Sequence, residues 1–300
     1  MSVTRPAIDG GTATRASHDG VAELARDASI EINAAEVKHL DASRALLPAG
    51  KKIYVSHLPK QSWNETIEVS RAVHAAGFTP VPHVPVRLIQ SADTADRLLA
   101  ELKDRSHVSE VLLISGDYAR IVGPYSSVFD FLRDGLLSKH GFKRVSFAGH
   151  PEGHPQVPLE EIRRAEIEKA QWAEYAGMTA TLMTQFFFES DPFIEWVQHL
   201  RRNGVRSQIV AGLAGPASIT ALARFAVRCG VGRSVRALSK RPSVMNTLLG
   251  DHGPETLMNE LAVARMAGEA SFAGIHIFGF GGFLRTCKWL QQLASDRSAR

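Results

Sequence analysis

The sequence predicts an α/β protein of the (β/α)8, or TIM, barrel class. Short apolar runs rich in β-branched residues alternate with longer amphipathic stretches, which is the pattern of parallel strands joined by helical crossovers. Eight such runs occur, and eight units favour a closed barrel over an open doubly wound sheet. The chain of 300 residues, 44% of them hydrophobic, is large enough to bury such a core.

Each predicted strand is a run of apolar residues that ends near Gly, Ser, Asn or a polar turn. In chain order the runs are SIEINA from Ser29, KIYVS from Lys52, TPVPHV from Thr79, SEVLLIS from Ser109, RVSFAG from Arg144, ATLMTQF from Ala180, SQIVAG from Ser207 and AGIHIFGF from Ala273.

The segments between the strands carry apolar residues at helical spacing, and several open on Ser or Asp and close on Gly. Examples are SWNETIEVSRAVHAAG, SADTADRLLAELKD, VPLEEIRRAEIEKAQWAEYAG and DPFIEWVQHLRRNG. The stretch 218–267 has room for two or three helices. Residues 1–27 are polar, with a short helix possible in HDGVAELARDAS. We therefore expect an N-terminal extension over 1–27 and a single catalytic barrel over 28–298.

Composition excludes several classes of protein. The formal charge of +4, from 35 Lys and Arg against 31 Asp and Glu, is spread along the chain, so nucleic acid is not indicated as a partner. Cys229 and Cys287 are too few and too far apart for a disulfide framework or a metal knuckle. The sequence lacks a signal peptide and an apolar run long enough to cross a membrane, so we expect a cytoplasmic protein without a membrane partner.

The first predicted strand contains an acidic residue, Glu31, inside the run SIEINA. An acidic side chain is costly to bury unless it is hydrogen-bonded or used in chemistry. Partial desolvation raises the pKa of a carboxyl group, and a raised pKa suits a general acid near neutral pH. The alternative is a structural Glu that faces outward or is paired.

Two further polar residues follow predicted strands and should reach the mouth of the barrel, where the carboxyl ends of the strands meet. Asp117, after VLLIS and next to Gly116, is placed to orient a polar heterocycle, although an ordinary turn or helix cap is also open. Gln185 ends ATLMTQ beside FFFESDPF and offers an amide that can donate and accept. The aromatic run is also typical of core.

His150 and His154 lie four residues apart in AGHPEGHP, which raises the question of a metal site. Pro151 and Pro155 make a helical pair of ligands improbable, so no metal is expected and contact with an anion or a flavin is favoured. The GFGGF stretch at 279–283 is either a phosphate-binding turn at a helix start or a plain glycine-rich turn.

Six segments in order resemble the strand-end signatures of the methylenetetrahydrofolate reductase family: SIEINAAE, VPHVP, VLLISGD, AGHPEGHP, MTQFFFESDPF and GIHIFGF. The resemblance spans about residues 28 to 295. It implies a cytoplasmic oxidoreductase of one-carbon metabolism that reduces 5,10-methylenetetrahydrofolate to 5-methyltetrahydrofolate, or runs the reverse reaction. It further implies FAD as cofactor, NADH or NADPH as co-substrate and tetrahydrofolate as the small-molecule partner, and it is compatible with a homo-oligomer.

By position in the motifs, the resemblance gives Glu31 the role of general acid and Asp117 a catalytic role in contact with the pterin and the flavin. It places Gln185 and Phe225 against the substrate, with Arg285 as a substitute for a substrate-contacting Arg that is replaced by Gly282. The residues that it implies for the flavin site are Ser56, His57, His83, Ser115, Gly116, Asp117, Tyr118, Tyr125, His150, His154 and Glu166.

Departures from the family pattern concentrate around the flavin. SHLPK at 56–60 replaces a Thr-Tyr-Gly-Ala-type turn, YAR follows Asp117 in place of a proline-containing segment, and Ala173 stands where a basic contact is expected. Two alternatives therefore stay open. One is direct hydride transfer from NAD(P)H without flavin, and the other is a pterin-binding partner without redox activity in a one-carbon demethylation pathway.

Overall fold

The computed structural model describes residues 10–116, 120–218, 221–222, 225 and 253–295, with side chains from residue 19 onward. Eight strands pair in parallel and in chain order, and the eighth pairs with the first to close a barrel. This confirms the predicted (β/α)8 fold. The strands are β1 Ser29–Ile32, β2 Lys52–Val55, β3 Thr79–Pro85, β4 Glu110–Ile114, β5 Arg144–Gly149, β6 Thr179–Thr184, β7 Gln208–Ala214 and β8 Gly274–Phe278.

Helices follow the strands and cover the outside of the barrel. They are α1 Gly10–Asp27, α2 Leu40–Ser43, α3 Trp63–Ala75, α4 Ala92–Ser106, α5 Val128–Arg133, α6 Leu136–Lys139, α7 Leu159–Tyr175, α8 Ser190–Arg202, α9 Glu255–Met266 and α10 Phe283–Ser295, with 3-10 turns at Ala34–His39 and Val86–Leu88. The predicted helices at SWNET, SADTA, VPLEE and DPFIE correspond to α3, α4, α7 and α8. Most of the stretch 218–267 lies outside the described residues, and α9 falls within its described part.

Residues of the predicted extension form α1, which is longer than the short helix expected from HDGVAELARDAS. Helix α1 packs against α9 and α10, and Leu24 and Ala25 are buried in the main core. Gly20 faces Ala262 of α9 so closely that an added Cβ would lie 3.0 Å from the Ala262 Cβ. The glycine therefore allows the two helices to approach each other.

Successive side chains of each strand point in opposite directions, so one set faces the helices and the other set faces the interior of the barrel. Ile30, Ile32, Val111 and Leu113 belong to the large core between strands and helices. The opposite set is a separate buried cluster of Tyr54, Val81, Leu112 and Met183 inside the barrel. Polar residues on β1, β3 and β8 with this inward orientation are therefore brought together above that cluster.

The interior of the barrel also contains a buried polar network beneath the mouth. Glu110 is 1% exposed and accepts hydrogen bonds from Lys52 Nζ at 2.7 Å and Ser146 Oγ at 2.6 Å. The Tyr54 hydroxyl lies 3.2 Å from Ser146 Oγ. Because each buried polar group has a partner, the network fixes the orientation of the Tyr54 ring.

In the part of the chain that the structure describes, no helix has both the length and the apolar character needed to cross a bilayer.

Candidate active site

A carboxylate stands at the mouth of the barrel on β1. Glu31 lies between Ile30 and Ile32, whose side chains face the helices, so its own side chain faces inward. Ser56 directly follows β2 and donates a hydrogen bond from Oγ to Glu31 Oε1 at 2.7 Å. The Glu31 side chain is 20% exposed, which leaves it accessible from the mouth.

Two imidazoles converge on the other oxygen of this carboxylate. His83 Nε2, on β3, lies 3.6 Å from Glu31 Oε2, and His276 Nε2, on β8, lies 3.9 Å from it. Glu31 Oε2 and both Nε2 atoms are buried and have no hydrogen-bond partner. We call Glu31, Ser56, His83 and His276 the acid cluster.

The electrostatics of the acid cluster differ from the sequence expectation. Burial raises the pKa of Glu31, but contacts with His276, His83 and Ser56 outweigh it and hold the pKa below its ordinary value. The expectation of a raised pKa was wrong, because the sequence did not indicate that two imidazoles would face the carboxylate. Burial also lowers the pKa of His83, although Glu31 opposes that shift.

Gln185 follows β6 at the same mouth, as predicted. Its backbone N–H donates to the Gly149 carbonyl at 2.9 Å, which continues the pairing of β5 and β6 by one residue. Its side-chain Oε1 accepts from the Phe186 N–H at 3.1 Å. The backbone of Gln185 is therefore fixed at the rim of the barrel, and its half-buried side-chain amide is held by the Phe186 N–H.

An aromatic surface lies beside the acid cluster. Phe225 stacks on Phe280 with ring centroids 4.2 Å apart, and Phe280 in turn meets the edge of Phe186 at 4.9 Å. The ring of Phe278 meets His276 at 4.9 Å, which joins this surface to the acid cluster. We call the set the aromatic wall; its members are Phe186, Phe188, Phe225, Phe278 and Phe280.

Several residues that the resemblance assigns to flavin have their polar groups engaged within the protein. His57 stacks on Trp63 at 4.0 Å and its Nδ1 lies 2.7 Å from Thr66 Oγ1. Burial lowers the pKa of His57 to about 4, so the ring is neutral. The Tyr125 hydroxyl donates to Asp134 Oδ2 at 2.5 Å, and Tyr125 is 2% exposed.

Glu166 has the most complete set of protein partners. It is 1% exposed and accepts from the His150 N–H at 2.7 Å, Trp196 Nε1 at 2.8 Å and Arg163 at 3.2 Å. Arg163 also donates to the carbonyls of His150 and Pro151. We call this network the β5 clamp. The Glu166 oxygens hold the loop after β5 through these contacts, and the assignment of Glu166 to a cofactor ribose stays a prediction.

The other residues assigned to flavin are divided between the loops after β4 and β5. Ser115 and Gly116 follow β4, and their carbonyls accept hydrogen bonds from the backbone and side chain of Arg87, respectively. His150 and His154 meet edge to face with centroids 5.9 Å apart. Asp117 and Tyr118 lie outside the described residues.

The glycine-rich turn after β8 carries no open anion site at its helix start. Glu36 Oε1 accepts a hydrogen bond from the Phe283 N–H at 2.5 Å, at the first residue of α10. A carboxylate of the protein thus occupies the position where a phosphate would bind. Of the two alternatives for GFGGF, the structure favours the plain turn. Arg285 lies exposed in the first turn of α10.

Within the described ranges, no group of three or more His, Cys, Asp and Glu side chains is arranged to hold a metal ion.

Sequence reasoning missed His276, the ring of Phe278 at the end of β8 and the ring of Phe280 just after the strand. Gly274, His276 and Phe278 share one face of the strand, and a polar residue within an apolar strand was the same signal that identified Glu31. That signal marks His276 as an inward-facing polar residue, but it does not indicate that the imidazole faces Glu31.

Part of this chain is similar to a known protein family. The model of the methylenetetrahydrofolate reductase family matches residues 131–238. The matched segment contains the β5 clamp, Gln185 and Phe225, while Glu31, His83 and His276 lie outside it. The resemblance inferred from the strand-end motifs is confirmed at the family level.

Curated relatives support the same family over part of the chain. Methylenetetrahydrofolate reductase 2 of Saccharomyces cerevisiae is 28% identical over 135 residues, which are 43% of this chain and 22% of that protein. Methylenetetrahydrofolate reductase (NADH) 1 of Arabidopsis thaliana is 24% identical over 136 residues, 41% of this chain and 23% of that protein. The chain thus spans less than a quarter of the length of these relatives.

Two solved structures share the barrel fold. A protein from Clostridium thermocellum that binds two copies of 5-methyl-5,6,7,8-tetrahydrofolic acid superposes with a TM-score of 0.62 at 12% identity, covering 93% of this chain and 97% of that one. Dihydropteroate synthase from Thermus thermophilus gives a TM-score of 0.51 at 12% identity, covering 90% of this chain and 94% of that one. At this identity the likeness concerns the fold alone.

Proposed function

We propose that this protein is a methylenetetrahydrofolate reductase, which interconverts 5,10-methylenetetrahydrofolate and 5-methyltetrahydrofolate with NADH or NADPH as the source or acceptor of hydride. The observation that carries the proposal is the acid cluster at the mouth, a part-exposed carboxylate with one oxygen aimed at two imidazoles. The family match over 131–238 and the folate bound by the Clostridium thermocellum barrel support it.

The reaction needs a proton and a hydride at different atoms of the folate. Protonation of the nitrogen at position 10 opens the methylene bridge, and hydride then adds to the methylene carbon. Among the described residues, Glu31 is a part-exposed acidic group at the mouth, and we assign the proton to it. Gln185 is assigned to the polar edge of the pterin because its amide can both donate and accept.

The aromatic wall is assigned to the flat faces of the substrates. Stacked and edge-to-face rings such as Phe225, Phe280 and Phe186 provide a rigid apolar surface that excludes water from one side of a bound ring. A pterin and a nicotinamide are both planar, so one surface can accept either. Exclusion of water protects an electrophilic methylene carbon from hydrolysis.

FAD fits the described residues poorly. Tyr125 and Glu166, which the resemblance assigns to FAD, are buried with their polar groups bonded to the protein, and His57 is bonded to Thr66 and stacked on Trp63. Ser56 donates to Glu31, and His83 points toward the same carboxylate. A bound flavin would have to break these contacts or do without them. This observation favours the alternative in which hydride passes directly between the nicotinamide and the folate.

The test is to supply purified protein with NADH and 5,10-methylenetetrahydrofolate, and to measure loss of nicotinamide absorbance and formation of 5-methyltetrahydrofolate by mass spectrometry. We expect stoichiometric conversion by protein that lacks the visible absorption of flavin. Visible flavin absorption, or activity that requires added FAD, would restore the flavin-dependent mechanism. Binding of 5-methyltetrahydrofolate without any nicotinamide oxidation would replace the proposal with a non-redox pterin-binding protein.

Two variants separate the active site from the rest of the barrel in this assay. Glu31→Gln keeps the shape of the side chain but removes its proton chemistry, so conversion should be lost. Glu160→Gln changes an exposed residue in the first turn of α7 and should convert folate at the wild-type rate. Equal activity of the two variants would reject the assignment of the acid cluster.

A further inference from the structure

The acid cluster has a feature that a single general acid does not need. Three buried polar atoms, Glu31 Oε2 and the Nε2 atoms of His83 and His276, converge without hydrogen-bond partners. Buried polar atoms are nearly always paired, so three such atoms in one place indicate a site where a proton is exchanged. Distances of 3.6 and 3.9 Å are longer than hydrogen bonds, and catalytic contacts often shorten only when substrate binds.

His276 is held in a fixed orientation. Its Nδ1 lies 2.9 Å from Ser29 Oγ, and its ring packs against the edges of Tyr54 at 4.7 Å and Phe278 at 4.9 Å. The hydroxyl of Tyr54 is in turn anchored by Ser146 beneath it. His276 is 0% exposed, so it does not touch solvent or substrate and can act only through Glu31.

We propose that His276 holds the proton that Glu31 passes to the folate, so that the acid of this enzyme is a carboxylate–imidazole pair. This inference rests on the proposed function. In each turnover the Nε2–H bond of the imidazolium breaks as an O–H bond forms at Glu31 Oε2. Glu31 then gives this proton to the nitrogen at position 10, and the bond from that nitrogen to the methylene carbon breaks with its electron pair on nitrogen. Reduced nicotinamide supplies the hydride.

The choice of His276 over His83 follows from their surroundings. The titratable groups that face the imidazoles are Glu31 from β1, Tyr54 from β2, His57 after β2 and the other histidine, with Glu110 of β4 one step further below Tyr54. Burial lowers the pKa of His83, which keeps that ring neutral. The contacts that lower the pKa of Glu31 keep it ionised at neutral pH, and His276 contributes the largest of them. The proton is assigned to His276 because its Nδ1 lies 2.9 Å from Ser29 Oγ and its ring is 0% exposed, whereas the His83 side chain is 12% exposed.

The kinetic test compares His276→Gln with wild-type protein. Glutamine retains polarity and can bond Ser29 but cannot exchange a proton near neutral pH. We expect kcat to fall on the order of 100-fold, while KM for the folate stays within about twofold, because general acid catalysis acts on the transition state. His83→Gln should lose less, and His199→Gln, which changes a half-buried histidine of α8 outside the acid cluster, should match wild type.

A second measurement does not require activity. Infrared spectra taken across pH follow protonation of the Glu31 carboxyl, identified by its absence in Glu31→Gln. His276→Gln should protonate Glu31 at higher pH than wild-type protein does, because it removes the contact that most lowers the pKa of Glu31. A residue with only a packing role would leave this titration unchanged.

The outcomes separate the two proposals. Near wild-type kcat in His276→Gln, or an unchanged Glu31 titration, would overturn the carboxylate–imidazole pair. A wild-type protein that does not oxidise nicotinamide with folate would reject the proposed function, while the infrared titration would still decide whether His276 and Glu31 interact. Should His276→Gln fail to fold, Ser29→Ala removes only the Nδ1 partner. That variant should lower kcat roughly tenfold, the loss expected for one hydrogen bond, and unchanged kcat would count against the pair.

Discussion

Two glutamates of this barrel, the part-buried Glu31 and the buried Glu166, lie next to histidines and have lowered pKa values, yet they differ in how their oxygens are used. Glu166 is 1% exposed, and its oxygens accept hydrogen bonds from Trp196, Arg163 and the backbone of His150. Glu31 is 20% exposed and keeps one oxygen without a hydrogen-bond partner. Glu166, which holds a loop, has hydrogen-bond partners for both oxygens. Glu31, which lies at the mouth, has a hydrogen-bond partner for one oxygen only.

The difference teaches how to separate a carboxylate that stabilises the fold from one that takes part in chemistry when each has a buried oxygen. Satisfied hydrogen bonds lower the free energy of the folded state, so their removal should affect stability. A buried polar group without a hydrogen-bond partner raises the free energy of the folded state. Such a group is retained where it binds a substrate or exchanges a proton. Variants of the two glutamates should therefore have opposite effects on stability and on activity.

The largest effect is expected for Glu31→Gln. Loss of the proton donor should reduce kcat for folate reduction on the order of 1,000-fold, within the range of general acid catalysis. The free energy of unfolding should stay within about 1 kcal/mol of wild type, because the lost contact to Ser56 is offset by the removal of a buried charge. Steady-state kinetics and urea denaturation measure the two quantities. A strong decrease in the free energy of unfolding of Glu31→Gln would indicate that Glu31 has a structural role.

The reverse result is expected for Glu166→Ala. Removal of this carboxylate leaves Arg163 and Trp196 Nε1 without their partner, so the free energy of unfolding should fall by about 3 kcal/mol. Chemical denaturation provides the measurement. Glu168→Ala, in the same helix but half exposed, should change stability by less than about 0.5 kcal/mol. A stable Glu166→Ala that no longer binds a cofactor would reinstate its assignment to a ribose.

A smaller effect is expected when the hydrogen bond to the other Glu31 oxygen is removed. Ser56→Ala loses the donor at 2.7 Å, which should raise the pKa of Glu31 and reduce kcat about tenfold, the range for a hydrogen bond to a charged group. Ser106→Ala, which removes a buried serine of α4 bonded to the Ile67 carbonyl, is the control and should retain kcat. An increase in KM for the folate with unchanged kcat would indicate that Ser56 contacts the substrate instead.

The smallest expected effect is on the pH dependence of the free energy of unfolding. The folded pKa values of Glu31 and Glu166 lie below the ordinary value of 4.5, so the unfolded chain takes up protons first as the solution is acidified. Their stabilising contribution is complete above 4.5 and is lost as pH falls through the lowered values. Thermal unfolding followed from neutral to acidic pH should show a shallower decline for Glu166→Gln than for wild type. Parallel curves would contradict the lowered pKa of Glu166.

The sequence predicted all eight strands and the position of Glu31 and Gln185 because these depend on local pattern. Alternation of apolar residues and the placement of polar residues at strand ends are properties of a few consecutive positions. The roles of Glu36, Glu166 and Tyr125 could not be predicted in the same way. Their partners Phe283, Trp196 and Asp134 are separated from them by 247, 30 and 9 positions, respectively.

The sequence by itself determined the barrel, the order of its strands and the presence of an acidic residue in the first of them. Only the tertiary structure decided what that residue meets. Closure of the barrel brings β8 beside β1, so His276 reaches Glu31 across 245 positions of sequence and, together with His83, lowers the pKa that burial alone would raise. Local pattern sets burial, whereas the sign of the pKa shift depends on charges that only the closed barrel brings within a few ångströms.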